Sequence, residues 1–354
     1  MKILVEGSGG RAGWPEPGCR CASCRRQTAA GNSRKRSTAV VDEVLRLGAG
    51  MAPDGVPAGY TVLDLGAGWD VTGPDGVRLL YAAGPGAAPE PPAGAAPYDI
   101  AFLDLAGDPA QLGGLRAGGL ITPGTITRVA FADHRVPGEA ELERRCGFWR
   151  AGLGGDGEVV IAGRSAETTE AGYGPFRVLV LGGARSGKSE RAELRLAAEP
   201  DVTYVAAAPP VPGWAGDADW AARVAAHRAR RPAWWRTVET TDLAAVLDGA
   251  RGAVLIDGMG SWLTAVLDDC GVWDGTPGAG EAVAARIAEL LSAWRRTTAH
   301  VVAVSDETGL GVVPATPSGR LFRDELGRLN QHLAASSDIT EVIIAGRILP
   351  LEAW

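Results

Sequence analysis

Lysine is almost missing from this sequence. Of 35 basic residues only Lys2, Lys35 and Lys188 are lysine, so each position that keeps one is informative. No apolar run approaches the roughly 20 residues that a membrane-spanning helix needs. The N-terminus lacks the charged-then-apolar layout of a secretory leader, and the expectation is a cytoplasmic chain without a membrane span. Basic charge is not in excess either. The formal net charge of −7 argues against a broad nucleic-acid surface and leaves room for a local pocket for a small phosphorylated molecule. Cysteine is scarce, with Cys146 and Cys270 isolated and the other three crowded at Cys19, Cys21 and Cys24. That spacing suits a metal site better than a disulfide framework, although three reduced thiols in a metal-free loop would give the same pattern.

What is present suffices for two ordinary domains, since 354 residues with 46% apolar content can bury two cores. The run 84–97 is Gly, Ala and Pro with one Glu, which reads as a surface loop. A second change of character falls at 154–175, and the expected division is residues 1–165, a linker at 166–175, and residues 176–354. Before the linker, short apolar runs at 2–5, 61–65, 77–82 and 100–105 are bounded by Gly, Pro or Asp and suggest mostly strands. After it, buried-type strands at 177–181, 202–206, 253–256, 300–305 and 342–345 alternate with helical patterns, including one from 189 and one near 219–230. Such alternation predicts an α/β fold with a mainly parallel sheet covered on both faces.

One of the three lysines lies in Gly182-Gly183-Ala184-Arg185-Ser186-Gly187-Lys188-Ser189, directly after the apolar run 178–181 and before a helical pattern. Glycines in such a loop let backbone N–H groups turn toward phosphate oxygens, and the helix N-terminus adds its dipole. Lys188 would reach the outer phosphates and Ser189 would join a Mg²⁺ shell. Asp257, at the end of the run 254–256, is the matching carboxylate for that ion. A further cluster, Arg223, His227, Arg228, Arg230 and Arg231, followed by Glu239, could be an ordinary solvated helix face. It could equally be a second chemical centre, because a neutral imidazole can attack an α-phosphate and flanking guanidiniums can stabilise the developing charge.

The phosphate-loop octet is followed in order by Tyr204-Val205-Ala206, Arg223 with His227 and Arg231-Pro232, Trp235-Arg236-Thr237-Val238-Glu239 and Leu255-Ile256-Asp257. Glu307-Thr308-Gly309-Leu310-Gly311-Val312-Val313-Pro314, Arg320-Leu321-Phe322-Arg323-Asp324, Gly327-Arg328-Leu329-Asn330-Gln331 and Ile344-Ala345-Gly346 complete the series. Over about 177–351 this set resembles the bifunctional adenosylcobinamide kinase/adenosylcobinamide-phosphate guanylyltransferases. The resemblance implies a RecA-like P-loop domain, often a homotrimer, that uses ATP or GTP with Mg²⁺ to phosphorylate adenosylcobinamide. It then implies transfer of GMP from GTP through a histidine to adenosylcobinamide phosphate. On this resemblance His227 is the nucleophile, and Arg228, Ala229, Arg230, Arg231 and Glu239, with Ala207 and Ala208, border the nucleotide. Three departures stand out: Ala206-Ala207-Ala208 where members often carry threonine, Gly258-Met259-Gly260 in place of Cys-Leu-Thr, and Asp306 where asparagine is common. The alternatives are a P-loop kinase for another small molecule, which would not require His227 and its arginines, or a nucleotide-binding regulatory module.

The first half, through Gly7-Ser8-Gly9-Gly10, Gly13-Trp14-Pro15, the three cysteines, Tyr81, Tyr98-Asp99-Ile100 and Leu103-Asp104, resembles metallo-β-lactamase-fold phosphodiesterases that carry an accessory structural zinc. That implies a truncated, β-rich α/β domain. The catalytic H-x-H-x-D-H cluster is missing, since His134 is the single histidine before the linker, so the domain is expected to be catalytically dead. In those hydrolases a late histidine closes the zinc shell; here that residue is His134, with Phe131 at the lost catalytic place.

Overall fold

The computed structural model describes residues 1–48, 53–66, 68–84, 86, 89–163, 176–207, 222, 225 and 228–351. Its contacts fall into two compact units, Met1–Glu170 with Ala197–Pro200, and Ala171–Leu196 with Asp201–Trp354.

The first unit runs β1 (Lys2–Gly7), α1 (Ala22–Ala29), β2 (Thr38–Val41), β3 (Leu45–Gly48), β4 (Thr61–Asp64), β5 (Trp69–Thr72) and β6 (Arg78–Ala82). It continues with β7 (Ile100–Leu103), α2 (Ala110–Ala117), β8 (Ile126–Val129), α3 (Glu139–Trp149), β9 (Gly152–Leu153) and β10 (Val159–Ile161). The described residues of 84–97 contain no helix or strand. Two sheets form, in the orders β10-β1-β2-β3 and β4-β5-β6-β7-β8-β9. Along β1 every second residue is buried, which turns Ile3 and Val5 to one side. They join Val41, Leu45 and Leu47 in a single apolar cluster with Val71, Leu79, Tyr81, Ile100 and Phe102 of the other sheet. The two sheets therefore face each other. Strands β6 and β7 are buried almost throughout, as central strands with both faces covered must be.

The second unit contains β11 (Phe176–Gly182), α4 (Lys188–Leu196), β12 (Val202–Ala206), β13 (Arg236–Glu239), α5 (Leu243–Gly249), β14 (Ala253–Asp257) and α6 (Met259–Asp269). Then follow α7 (Ala279–Arg296), β15 (His300–Asp306), α8 (Pro317–Ala335), β16 (Ile339–Ile344) and β17 (Arg347–Leu351). The helix expected near 219–230 lies largely outside the described residues, of which 222, 225 and 228–230 are helical. One sheet of order β13-β12-β14-β15-β11-β16-β17 results. All neighbours are parallel except β16 and β17, which pair antiparallel, so the sheet is mainly parallel as expected. That edge is made by a two-residue turn, Ala345-Gly346, in which both residues have positive φ, the geometry that matches the twist of a tight hairpin.

Within β11 the period of two splits the apolar run cleanly. Val178 and Val180 pack with Ala192, Leu196, Tyr204 and Val302 on one face, while Leu179 and Leu181 pack with Ile256, Trp262, Trp294 and Leu326 on the other. Each fully buried aliphatic side chain contributes about 1.5–3 kcal/mol, so helices on both faces hold the strand tips in register. Those tips carry the polar residues that concern function.

Candidate active site

At the C-terminal end of β11 the chain turns through the phosphate loop into α4. Gly182 is required by close approach: a Cβ there would lie 2.4 Å from Ser186 Oγ and 2.8 Å from the Ile343 carbonyl oxygen. Gly187 has φ of +95°, which a side chain would strain. Ser186 N–H donates to Gly183 O at 3.2 Å, and the hairpin turn supports the loop through Gly346 N–H to Ser186 O at 2.9 Å. Gly183, Ala184 and Arg185 are exposed, so the mouth is open. Ser186 Oγ is buried with no hydrogen-bond partner among the described residues, as a cradle that takes oxygen ligands would leave it.

Lys188, on the first turn of α4, donates from Nζ to Gly183 O at 3.1 Å and pairs with Asp306 Oδ1 at 2.9 Å. Asp306 ends β15 directly beside Gly182 in the register. Ser189 Oγ donates to Asp257 Oδ1 at 3.1 Å, and Tyr204 OH donates to Asp257 Oδ2 at 2.5 Å. Burial first, and the Asp257 charge second, raise the Tyr204 phenol well above its ordinary range, so it stays a donor. The Arg231 guanidinium carbon lies 3.3 Å from the Tyr204 ring centroid, a cation–π contact, and Arg231 also donates to Thr237 Oγ1 at 3.3 Å. A hydroxyl and a carboxylate form a hard-oxygen donor set that fits Mg²⁺.

The structure thus brings Gly182, Gly183, Ala184, Arg185, Ser186, Gly187, Lys188, Ser189, Asp257 and Arg231 into one contact chain at the sheet's C-terminal edge. Arg230 is engaged elsewhere, with Glu193 at 2.9 Å, and Arg228 pairs with Glu239 at 3.1 Å in an exposed position. Glu239 ends β13 opposite Ala206, next to Ala207, and Ala229 is exposed between its two arginines. Ala208, Arg223 and His227 lie outside the described residues. Two participants are named in the sequence reading without a place in the site. Tyr204 sits inside an apolar strand and shows its role only through its hydroxyl's partner. Asp306 carries a signal in the sequence, as a charge at the end of an apolar strand run, but its partner Lys188 is more than a hundred residues away.

In the first unit, Cys19, Cys21, Cys24 and His134 place their ligand atoms within 4.8 Å of one another. Cys19 Sγ and Cys24 Sγ each lie 3.9 Å from His134 Nδ1, a few tenths of an ångström beyond the roughly 3.6 Å that a Zn–S bond of about 2.3 Å and a Zn–N bond of about 2.0–2.1 Å set at the tetrahedral angle. Cys21 stands at the N-cap of α1 and accepts from Cys24 N–H at 3.3 Å, the main cause of its lowered thiol pKa. Burial pushes Cys24 the other way, to about 11. Glu16 Oε2 lies 3.1 Å from the same His134 nitrogen. Phe131 is buried, with φ of +65°. Asp104 is buried and spends both oxygens on Arg135, at 2.9 Å each.

Fold and site define the second unit as a nucleotide-binding α/β domain with a phosphate loop. The profile of the family described as cobinamide kinase / cobinamide phosphate guanyltransferase matches residues 178–351. The bifunctional adenosylcobalamin biosynthesis protein CobP of Pseudomonas aeruginosa is 42% identical over 185 residues, 50% of this chain and 98% of that protein. The bifunctional adenosylcobalamin biosynthesis proteins CobU of Escherichia coli and Salmonella typhimurium are each 36% identical, over 48% of this chain and 96% of their own length. The chain belongs to the cobinamide kinase / cobinamide phosphate guanyltransferase family, and its matching half spans nearly the whole of these relatives.

Proposed function

We propose that residues 176–354 phosphorylate adenosylcobinamide with ATP or GTP and then convert adenosylcobinamide phosphate to adenosylcobinamide-GDP. In the first step the acceptor's hydroxyl oxygen bonds to the γ-phosphorus, the bond to the β-phosphate oxygen breaks, and the hydroxyl proton leaves to solvent. Lys188 balances charge on the transferred group, and loop N–H groups orient it. Ser189 and Asp257 would hold Mg²⁺, which neutralises phosphate charge when bound. In the second step His227 attacks the α-phosphorus of GTP and pyrophosphate leaves. The acceptor's phosphate oxygen then displaces the imidazole and forms the P–O–P link. Arg231, Arg228, Ala229, Arg230, Glu239, Ala207 and Ala208 border the guanine nucleotide in this reading.

The observation that carries it is the chain Lys188, Ser189, Asp257, Tyr204 and Arg231 in a member of this family. Arg231 stands four residues after His227 in the sequence. Incubation with α-labelled GTP and Mg²⁺ should leave acid-labile, base-stable label on the protein. His227→Asn should lose that label and adenosylcobinamide-GDP while keeping most kinase activity. Label retained in the variant would place the nucleophile elsewhere; equal loss of both activities would make His227 a structural residue.

For residues 1–165 the proposal is a shortened, hydrolytically dead metallo-β-lactamase-like domain with one zinc on Cys19, Cys21, Cys24 and His134. The engagement of Asp104 by Arg135 supports the loss of hydrolysis, because a carboxylate bound in this way is not free to ligate a catalytic metal.

A further inference from the structure

Leu310 and Val312 are the most exposed large apolar side chains among the described residues, at 83% and 94%, and Val313 follows at 61%. They stand on the loop between β15 and α8. The loop is anchored on both sides of them. Glu307 N–H donates to Gly182 O at 3.1 Å, Gly309 N–H to Glu307 Oε1 at 2.6 Å, and Arg323 Nη2 to Gly309 O at 2.7 Å. Arg320 Nη1 donates to Pro314 O and Ala315 O at 3.0 and 2.8 Å, and Thr316 caps α8 through Gly319 N–H at 3.1 Å. Three apolar side chains thus stand in water between two anchored stretches of backbone, an arrangement that marks a contact surface.

The position of the loop selects the occupant. Its root is Asp306, the ion-pair partner of Lys188, and the next residue hydrogen-bonds the last residue of β11. An acceptor hydroxyl that meets the outermost phosphate must come to the Lys188 side of the site. Whatever bulk that acceptor carries extends past its border. A second copy of the chain is the other candidate, and the root of the loop at the phosphate site favours the acceptor.

We infer that Leu310, Val312 and Val313 form the wall against which the corrin macrocycle of the acceptor rests; this rests on the kinase and guanylyltransferase reading above. Apolar contact there fixes the macrocycle while the phosphate loop acts on its arm, so the loop governs acceptor affinity and leaves nucleotide binding alone.

The test is the double variant Leu310→Ser/Val312→Ser, whose changes are at the surface and spare the core. With wild type beside it, three quantities are measured: KM for adenosylcobinamide, KM for GTP, and protein labelling by α-labelled GTP without acceptor. The expected result is a KM for adenosylcobinamide raised about tenfold, with the other two unchanged. An unchanged KM for adenosylcobinamide in an active variant overturns the inference. So does a change confined to the sedimentation coefficient, which would assign the loop to a second copy of the chain. Wild-type protein that labels itself yet neither binds nor phosphorylates the corrinoid overturns the inference together with the reading beneath it.

Discussion

Replacing Asp306 with asparagine removes the negative charge that occupies Lys188. The ammonium lies 2.9 Å from Asp306 Oδ1, with Lys188 15% and Asp306 42% exposed. An incoming triphosphate needs the same ammonium, so it must displace the carboxylate and then sit beside it. Exposed ion pairs are worth roughly 0.2–1 kcal/mol, and the shelter of Lys188 puts this one near the upper end. Asparagine keeps the shape and removes the competition, so nucleotide should bind about fivefold more tightly, the equivalent of about 1 kcal/mol. Titration with a fluorescent GTP analogue at two salt concentrations measures this. The gain should shrink as salt rises, because screening already weakens the wild-type pair. Weaker binding by the variant would refute the reasoning and show that Asp306 positions Lys188 for nucleotide.

Other outcomes follow from the same geometry. Lys188→Ala should abolish phosphorylation of adenosylcobinamide, measured by product formation at saturating nucleotide, because the transferred group loses its nearest cation. Tyr204→Phe removes the phenol's hydrogen bond to Asp257 Oδ2; a hydrogen bond to a charged group is worth about 1.5–3 kcal/mol, so turnover should require roughly tenfold more Mg²⁺, and an unchanged Mg²⁺ titration would dismiss the tyrosine's role. Metal analysis of protein purified without chelator should find about one zinc per chain, lost in Cys24→Ser, and phosphodiesters should not be hydrolysed.

The alternation of apolar strand and helix in 176–354 was legible because a doubly covered parallel sheet demands continuous apolar runs, as in 178–181 and 253–256. The phosphate loop was legible because its glycines and lysine are contiguous. Contacts between distant segments left weaker traces. Gly260 and Asp306 look like two separate departures in the sequence, yet a Cβ at residue 260 would lie 2.9 Å from Asp306 Oδ2, so the small residue makes room for the carboxylate. The antiparallel edge β17 follows a turn whose positive φ at Ala345 no composition announces. In the first half the cysteine spacing suits a metal, while His134, named as the fourth candidate ligand on the resemblance alone, lies far along the chain, and folding brings its ring nitrogen within 4.8 Å of the thiols.

The placement of β11 has a consequence for how the protein is made. Its two neighbours, β15 and β16, are synthesised more than a hundred residues later, and the Ala345-Gly346 turn that braces Ser186 comes later still. A nascent chain that has emerged only through β14 displays every residue from Gly182 to Ser189 but has neither flanking strand nor brace. Closing such long-range pairings is slow relative to local helix formation. The phosphate loop is therefore complete in sequence long before the strands and turn that brace it have been made.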